Sequence, residues 1–191
     1  MNIIEGHQQS KEWITLSLLY LMEHKVYSDI KVTEIAKKSG MVRQTIYRNY
    51  QDKDDILFEY LCHQLNLIDS RIIDNQLSGE AIFVVFFDMW KEFVPSSLLK
   101  NIHSADRKIR QIIYKSLEYF VQNKYLNYFM SAQIPVSALH DYALRSLASI
   151  LHGVLIEWSL QSYKQSSAEI GKLTYQLTSS IRQYCLQDAI D

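Results

Sequence analysis

Glycine, proline and cysteine are scarce in this chain of 191 residues, which contains five, two and two of them respectively. A fold with many short strands needs turn-forming residues at each chain reversal, so this shortage, beside 48% hydrophobic residues, favours helices. The length is sufficient for one or two domains with hydrophobic cores of their own. The composition therefore predicts an all-α protein.

The two cysteines, Cys62 and Cys185, lie far apart in the sequence, and neither belongs to a CxxC motif or has ligand-spaced histidines beside it. A metal or redox site would need such spacing. We therefore predict two buried, reduced thiols, no metal site and no cofactor.

Long hydrophobic runs are absent as well. The longest, residues 82–87, is far shorter than the roughly 18 residues that a membrane span needs. The N-terminus lacks the basic start followed by an apolar stretch that is typical of a signal peptide. These absences predict a soluble, cytoplasmic protein that does not interact with membranes.

Motifs of the common enzyme classes are also missing. The sequence contains no ExxH or HExxH motif, no glycine-rich phosphate loop and no GxSxG motif, and its six histidines are scattered without ligand spacing. We therefore predict that the protein is not an enzyme.

Charge is nearly balanced over the whole chain, with a net charge of −1, which by itself disfavours binding to a polyanion. The segment from Lys31 to Lys53 differs, because it contains six basic and two acidic residues, a local net charge of +4. Such a segment is either a solvated helix surface or a nucleic-acid-binding surface. The spacing of the other residues in this segment distinguishes these two possibilities.

That spacing predicts a helix-turn-helix. Apolar residues over 32–36 begin a short helix that ends at Gly40, because glycine readily adopts the left-handed conformation that terminates helices. Only two residues separate Gly40 from a helix predicted over 43–50, in which Ile46 and Tyr50 share one side. Two short helices joined by a tight turn form this DNA-binding motif.

The flanking sequence predicts further helices on both sides. A helix over 10–24 precedes the motif, and a long helix capped by Asp52 follows it to about residue 76. Pro95 and Pro135 punctuate the remainder, which includes a looser stretch over 128–135. The predicted C-terminal helices cover 81–93, 96–102, 107–124, 138–163 and 168–186. We expect a DNA-binding domain over 1–52 and a helical regulatory and dimerisation domain over 53–191.

Residues 32–57, VTEIAKKSGMVRQTIYRNYQDKDDIL, resemble the DNA-binding signature of the TetR family, the tetracycline-repressor-like regulators of bacteria. Residues 150–173 are further similar to the last two helices of a Firmicutes subgroup that includes regulators of dihydroxyacetone kinase genes. The shared elements of the signature are Ile35-Ala36, Gly40, Thr45-Ile46-Tyr47, Tyr50, and Lys53 followed by acidic residues and Ile56-Leu57.

The resemblance implies an N-terminal three-helix helix-turn-helix domain that a long helix joins to a C-terminal helical bundle. It also implies a dimeric, sequence-specific DNA-binding transcription regulator, more often a repressor than an activator, with control by a small ligand as an option.

Two positions depart from the family pattern. Lys31 replaces the usual Ser or Thr before the second helix, and Val42 replaces the Ser that usually caps the recognition helix. Valine cannot cap a helix, and the loss of a hydroxyl cap costs about 1 kcal/mol. Together with the near-neutral charge, Val42 keeps an alternative open: a helical interaction or ligand-binding module with a degenerate helix-turn-helix.

The recognition helix and Lys53, which follows it, offer seven candidate DNA contacts. Arg43 and Gln44, at its N-terminus, suit guanine and adenine edges respectively in the major groove, and Thr45 suits a thymine methyl or a phosphate. Two of the seven have an alternative without DNA contact: Arg43 would simply be exposed to solvent, and Tyr47 would pack on the first helix. The resemblance implies that Tyr47, Arg48 and Lys53 are phosphate anchors, and Asn49 suits either role.

A dimer is expected, because one helix-turn-helix reads too few base pairs. The last two predicted helices carry more apolar residues than one bundle needs, so they are the candidate interface, with packing inside a single chain as the alternative. The residues concerned are Leu144, Leu147, Leu151, Val154, Leu155, Trp158, Leu173, Leu177 and Ile181.

Aromatic residues are dense in the predicted bundle. They are candidates to line a cavity for a small apolar or aromatic ligand, although aromatic residues at helical spacing also form ordinary core. The candidate pocket residues are Phe86, Trp90, His103, Tyr114, Phe120 and Trp158.

Overall fold

A computed structural model describes residues 3–132 and 137–187 of the chain. Within these two ranges it contains ten α-helices, a short 3₁₀ turn over Tyr27–Asp29 and no strand, so the all-α prediction is confirmed. The helices are α1 (Ile3–His24), α2 (Val32–Ser39), α3 (Arg43–Asn49), α4 (Lys53–Asp74), α5 (Glu80–Phe93), α6 (Ser96–His103), α7 (Arg107–Ala132), α8 (Ala138–Leu160), α9 (Ser167–Leu177) and α10 (Ser179–Gln187).

The chain forms two compact units, Met1–Leu61 with Val94–Ile112 and Cys62–Phe93 with Ile113–Asp191. The predicted domain boundary after residue 52 stays a prediction. The unit that contains the helix-turn-helix is larger than the predicted domain, because α6 packs on α1.

In the first unit, α1 packs on α2 and α6, and α2 packs on α3. Its core takes Ile14, Leu18 and Met22 from α1, which are fully buried because their spacing of four residues places them on one helix face. Trp13, the residue next to Ile14, is instead 53% exposed. A residue adjacent to Ile14 points about 100° away around the helix, so the pattern allowed only one of the two to be central in the core.

In the second unit, α5 packs closely against α9, and α8 contacts both α9 and α10. Gly171 of α9 makes this approach possible, because a Cβ atom there would lie only 2.7 Å from the backbone nitrogen of Val84 in α5. Cys185 is fully buried as predicted, whereas Cys62 is only partly buried; neither forms a disulfide.

The helix boundaries differ from the predicted ones most clearly in three places, and the first is α1, which begins at Ile3 instead of residue 10. Helix α7 continues to Ala132 because fully buried Phe129 anchors its last turns, whereas a loose stretch was expected from residue 128. The helix predicted over 168–186 is divided at Thr178, whose backbone (φ −96°, ψ 3°) leaves the α-helical region. Pro135 lies outside the described residues.

None of the helices that the structure describes combines the length and the apolar character that crossing a bilayer requires.

Candidate functional site

The turn between α2 and α3 is as tight as the sequence indicates. Gly40 ends α2 in the left-handed conformation (φ 68°, ψ 12°), and its N–H donates to the Ala36 carbonyl. The Met41 N–H donates to the same carbonyl at 3.1 Å. The predicted helix end at Gly40 is confirmed, and α3 begins three residues later at Arg43.

Glu34 makes one half of a capping box at the start of α2, without replacing the missing hydroxyl cap. Its carboxylate accepts from the Lys31 N–H at 3.0 Å and from the Lys25 ammonium at 2.6 Å. Both hydrogen bonds lower the pKa of Glu34. This acidic side chain is therefore occupied inside the motif, and its charge is paired.

Val42 leaves the start of α3 without a side-chain cap, as predicted. Its side chain is 67% exposed, and only its carbonyl takes part in the helix, accepting from the Thr45 N–H at 2.9 Å. The remaining N–H groups of this first turn are available to an external acceptor or to water.

Helix α3 is anchored by fully buried Ile46, which turns its predicted DNA-contacting side outward. Arg43, Gln44 and Arg48 are exposed and Thr45 is half-buried. Tyr47 is 57% exposed, which does not fit the alternative that it packs on α1.

Asn49 differs from these residues. Its side-chain amide donates to the Thr45 carbonyl at 2.7 Å, and its Oδ1 atom is buried. Because the side chain of Asn49 bonds to its own helix, its contact with DNA stays a prediction.

The surface of this motif is cationic. Lys31, Lys37 and Lys38 of the α2 region are exposed, like Arg43 and Arg48. The Lys38 ammonium lies 3.3 Å from the centre of the Tyr20 ring on α1, which holds this charge by a cation–π interaction.

Lys53 has a role inside the fold that the sequence did not reveal. Its ammonium donates to the carbonyls of Tyr27, Ser28 and Ile30, at 2.7, 3.1 and 2.7 Å. These three bonds use its three protons, and burial lowers the pKa of Lys53. Its predicted role as a phosphate anchor stays a prediction, because a phosphate would have to compete with these carbonyls.

Lys53→Met is therefore expected to lower the free energy of unfolding by about 2 kcal/mol, because hydrogen bonds from a charged group are lost while the apolar stem is kept. Urea unfolding followed by circular dichroism measures this, with exposed Lys37→Met as the matched control. A variant of unchanged stability whose DNA binding depends less steeply on salt would instead support the phosphate role.

Two residues far along the sequence hold the connection between α1 and α2. Asn101 of α6 accepts from the Tyr27 N–H at 2.6 Å, and Asp106 accepts from the Ser28 N–H at 2.9 Å. Burial raises the pKa of Asp106, but hydrogen bonds from Ser28 and the first turn of α7 outweigh it, so the pKa is lowered. No local sequence signal could identify these residues, since their partners lie more than seventy positions away.

The second unit contains a cavity of about 260 Å³. Of the predicted pocket residues, Phe86 and Phe120 line it. Trp90 and Trp158 are instead buried in the core, where Trp158 donates to the Gln165 carbonyl at 2.9 Å. Neither tryptophan belongs to the lining of this cavity.

The other two predicted pocket residues also lie outside this cavity. Tyr114 stacks edge-on against His152, with ring centres 5.7 Å apart. His103 is an exposed residue of α6 in the first unit. The cavity wall also contains two basic side chains that were not among the predicted pocket residues, Lys124 and Arg182.

The proposed dimer residues divide into two groups. Five of the nine are buried within the single chain, so for them the alternative of ordinary core packing is correct. The buried five are Leu144, Leu147, Leu151, Leu155 and Trp158. On α9, Leu173 and Leu177 remain 44% and 52% exposed.

No protein-family model matches the chain, and no curated protein matches it either. Solved structures do. A TetR transcriptional regulator of Streptococcus agalactiae has a TM-score of 0.61 at 19% identity, covering 91% of this chain and 96% of that one. A TetR-family regulator of Streptomyces coelicolor has a TM-score of 0.54 at 13% identity, covering 98% and 84%.

The dihydroxyacetone kinase operon activator DhaS is similar as well, with a TM-score of 0.50 and 15% identity over 91% of this chain and 96% of that one. At such identities the likeness concerns the fold. The chain thus has the all-α fold of the TetR-family transcriptional regulators.

Proposed function

We propose that this protein is a cytoplasmic transcription regulator that binds double-stranded operator DNA as a homodimer and is not an enzyme. The observation that carries the proposal is the outward face of α3, where Arg43, Gln44, Tyr47 and Arg48 are exposed after a tight turn. A short helix with such a face fits the major groove of B-DNA.

Within this proposal the side chains of α3 divide by position. Arg43 and Gln44 at its N-terminus read base edges, because the N-terminal residues of a recognition helix reach deepest into the groove. Tyr47 and Arg48 bind phosphates and set the register, and half-buried Thr45 contacts a phosphate or a thymine methyl. The exposed lysines of α2, Lys37 and Lys38, add sequence-independent attraction.

Dimerisation follows from the size of the motif, since two half-sites about 34 Å apart are needed for specific binding. We assign the interface to α8 and α9, where Leu173 and Leu177 remain exposed on α9. Repression is the mode of action that the family resemblance implies, and the cavity of the second unit is the place for a controlling ligand.

Selection of bound sequences from a random DNA pool, followed by fluorescence anisotropy at two salt concentrations, tests this function. The selected DNA is expected to bind two chains, with an affinity that falls steeply as salt rises. Arg43→Ala is expected to reduce discrimination at one base pair by about 1–3 kcal/mol, whereas Arg48→Ala weakens binding to all sequences alike. Arg145→Ala, an exposed arginine of the second unit, is the control.

The absence of a side-chain cap at Val42 favours one alternative, a helical interaction module that does not bind DNA. Such a protein would show no salt-dependent binding to any DNA. That result would reject the proposed function.

A further inference from the structure

We propose that the cavity of the second unit binds a small, apolar monocarboxylate whose charged group is held by Arg182. This inference rests on the proposed ligand control and deepens it, because it names the chemical class of the ligand.

The walls of the cavity are almost entirely apolar. Ile82, Phe83 and Phe86 of α5 face Phe120 and Val121 of α7 across it. Its volume of about 260 Å³ exceeds the ~150 Å³ of a known cavity that holds benzene. It therefore accommodates a single ring with a short side chain, or a medium-length acyl chain.

Arg182 places a positive charge on this apolar wall. Its guanidinium lies 3.9 Å from the Tyr175 ring centre and 5.6 Å from that of Phe83, which holds it in place by stacking. The Nη2 atom donates to the Tyr175 carbonyl at 2.8 Å, and Nε donates to the Thr178 hydroxyl at 3.2 Å.

The two bonds of Arg182 are both made to neutral oxygens, so neither cancels its charge. Among the residues that the structure describes, no carboxylate forms an ion pair with Arg182, and its Nη1 nitrogen donates to none of them. A cation in apolar surroundings is stabilised by an anion that can reach it, and carboxylates pair well with the planar guanidinium group.

Lys124, the second basic residue of the wall, is different. Its ammonium pairs with Asp69, which faces a smaller neighbouring pocket, and burial lowers the pKa of Lys124. Its charge is already compensated within the unit. A ligand with one negative charge is therefore sufficient to balance the cavity, and a second charge would lack a partner.

The remaining polar side chains of the wall are the phenols of Tyr125 and Tyr128. Burial is the main reason why the pKa of Tyr125 is raised to about 12, so its phenol stays protonated. Tyr128 supplies a second phenol. A phenol both donates and accepts, so the uncompensated cation Arg182 is the group that favours a carboxylate over an amine.

Isothermal titration of the full chain at pH 7, without DNA, tests this assignment. The probes are octanoate and 3-phenylpropanoate, each compared with the neutral alcohol of the same skeleton, octan-1-ol and 3-phenylpropan-1-ol, and with octan-1-amine. At least one acid is expected to bind about tenfold or more tightly than its alcohol, because only the acid forms a charge-assisted bond. Which acid binds better identifies an aliphatic or an aromatic ligand.

Arg182→Gln is expected to weaken the binding of the acid about ten- to hundredfold and to leave the alcohol unchanged. Lys115→Met, an exposed cation of α7, is the control and should change neither. If Arg182→Gln fails to fold, the comparison of acid with alcohol in the unaltered protein still tests whether the cavity prefers a carboxylate.

Three results would overturn the assignment: equal binding of acid and alcohol, tighter binding of the amine, or no binding of any probe. Because DNA is absent from this titration, its outcome is separate from that of the DNA experiment. A chain that binds DNA but no acid refutes only the ligand class, and one that binds an acid but no DNA refutes only the regulator.

Discussion

Gly171→Ala is expected to destabilise the protein by about 3 kcal/mol, although it adds only a methyl group. The new Cβ atom would lie 2.7 Å from the backbone nitrogen of Val84 and 2.8 Å from its Cα atom. Backbone atoms cannot rotate away as a flexible side chain can, so α5 and α9 would have to move apart over their whole contact. The shift in the urea midpoint, followed by circular dichroism, measures the effect.

Gly153→Ala is the matched control, and its expected effect has the opposite sign. Gly153 is an exposed residue in the middle of α8, and no atom lies within 4 Å of the position that its Cβ would take. Alanine there should stabilise the helix by about 0.5–1 kcal/mol, because it lowers the backbone entropy of the unfolded chain. Equal stability of the two variants would contradict the close packing at Gly171.

Asn101→Ala is expected to destabilise the protein by a similar amount, about 3 kcal/mol. Asn101 is buried, and its side chain accepts from the Tyr27 N–H while donating to the carbonyls of Met22 and Ser97, at 3.1 and 2.8 Å. Alanine leaves the Tyr27 N–H and the Met22 carbonyl without these partners inside the protein. Each unsatisfied buried group costs about 1–3 kcal/mol.

Urea unfolding tests this prediction as well, with Asn75→Ala as the control. Asn75 is exposed and donates only to the Arg71 carbonyl one helical turn away, so its loss should cost no more than about 0.5 kcal/mol. DNA affinity gives a second readout, because Asn101 supports the connection that leads into α2. An Asn101→Ala variant as stable as Asn75→Ala would show that the buried bonds contribute little.

The helix-turn-helix could be predicted from the sequence because the rules that define it act over a few residues. Gly40 ends α2 through its own backbone freedom. Asp52 caps α4 by accepting from the N–H groups of Asp54 and Asp55, at 2.7 and 3.1 Å. The four-residue spacing of buried Ile46 and Tyr50 fixed which side of α3 faces outward.

Only two of the six candidate pocket residues, Phe86 and Phe120, line the cavity of the second unit, and the reason is that packing over long distances decides this. Trp90 and Trp158 are aromatic residues on the bundle helices, like the lining residues Phe86 and Phe120, yet they pack into the core away from the cavity. Arg182 was not a candidate, because a basic residue in the last helix carries no sign that it will stack on Tyr175. Lys53 was assigned to DNA for a similar reason, since its three carbonyl partners lie more than twenty residues earlier.

The sequence by itself determined the helical class, the position and tight turn of the helix-turn-helix, and the outward direction of the side chains on its recognition helix. Helix periodicity and caps act within one or two turns, so these features depend only on residues close together in the sequence. The tertiary structure alone decided which aromatic residues enclose a cavity and which cations are engaged within the protein. Those outcomes depend on groups such as Asn101 and Tyr27, 74 residues apart, which meet only when the chain packs.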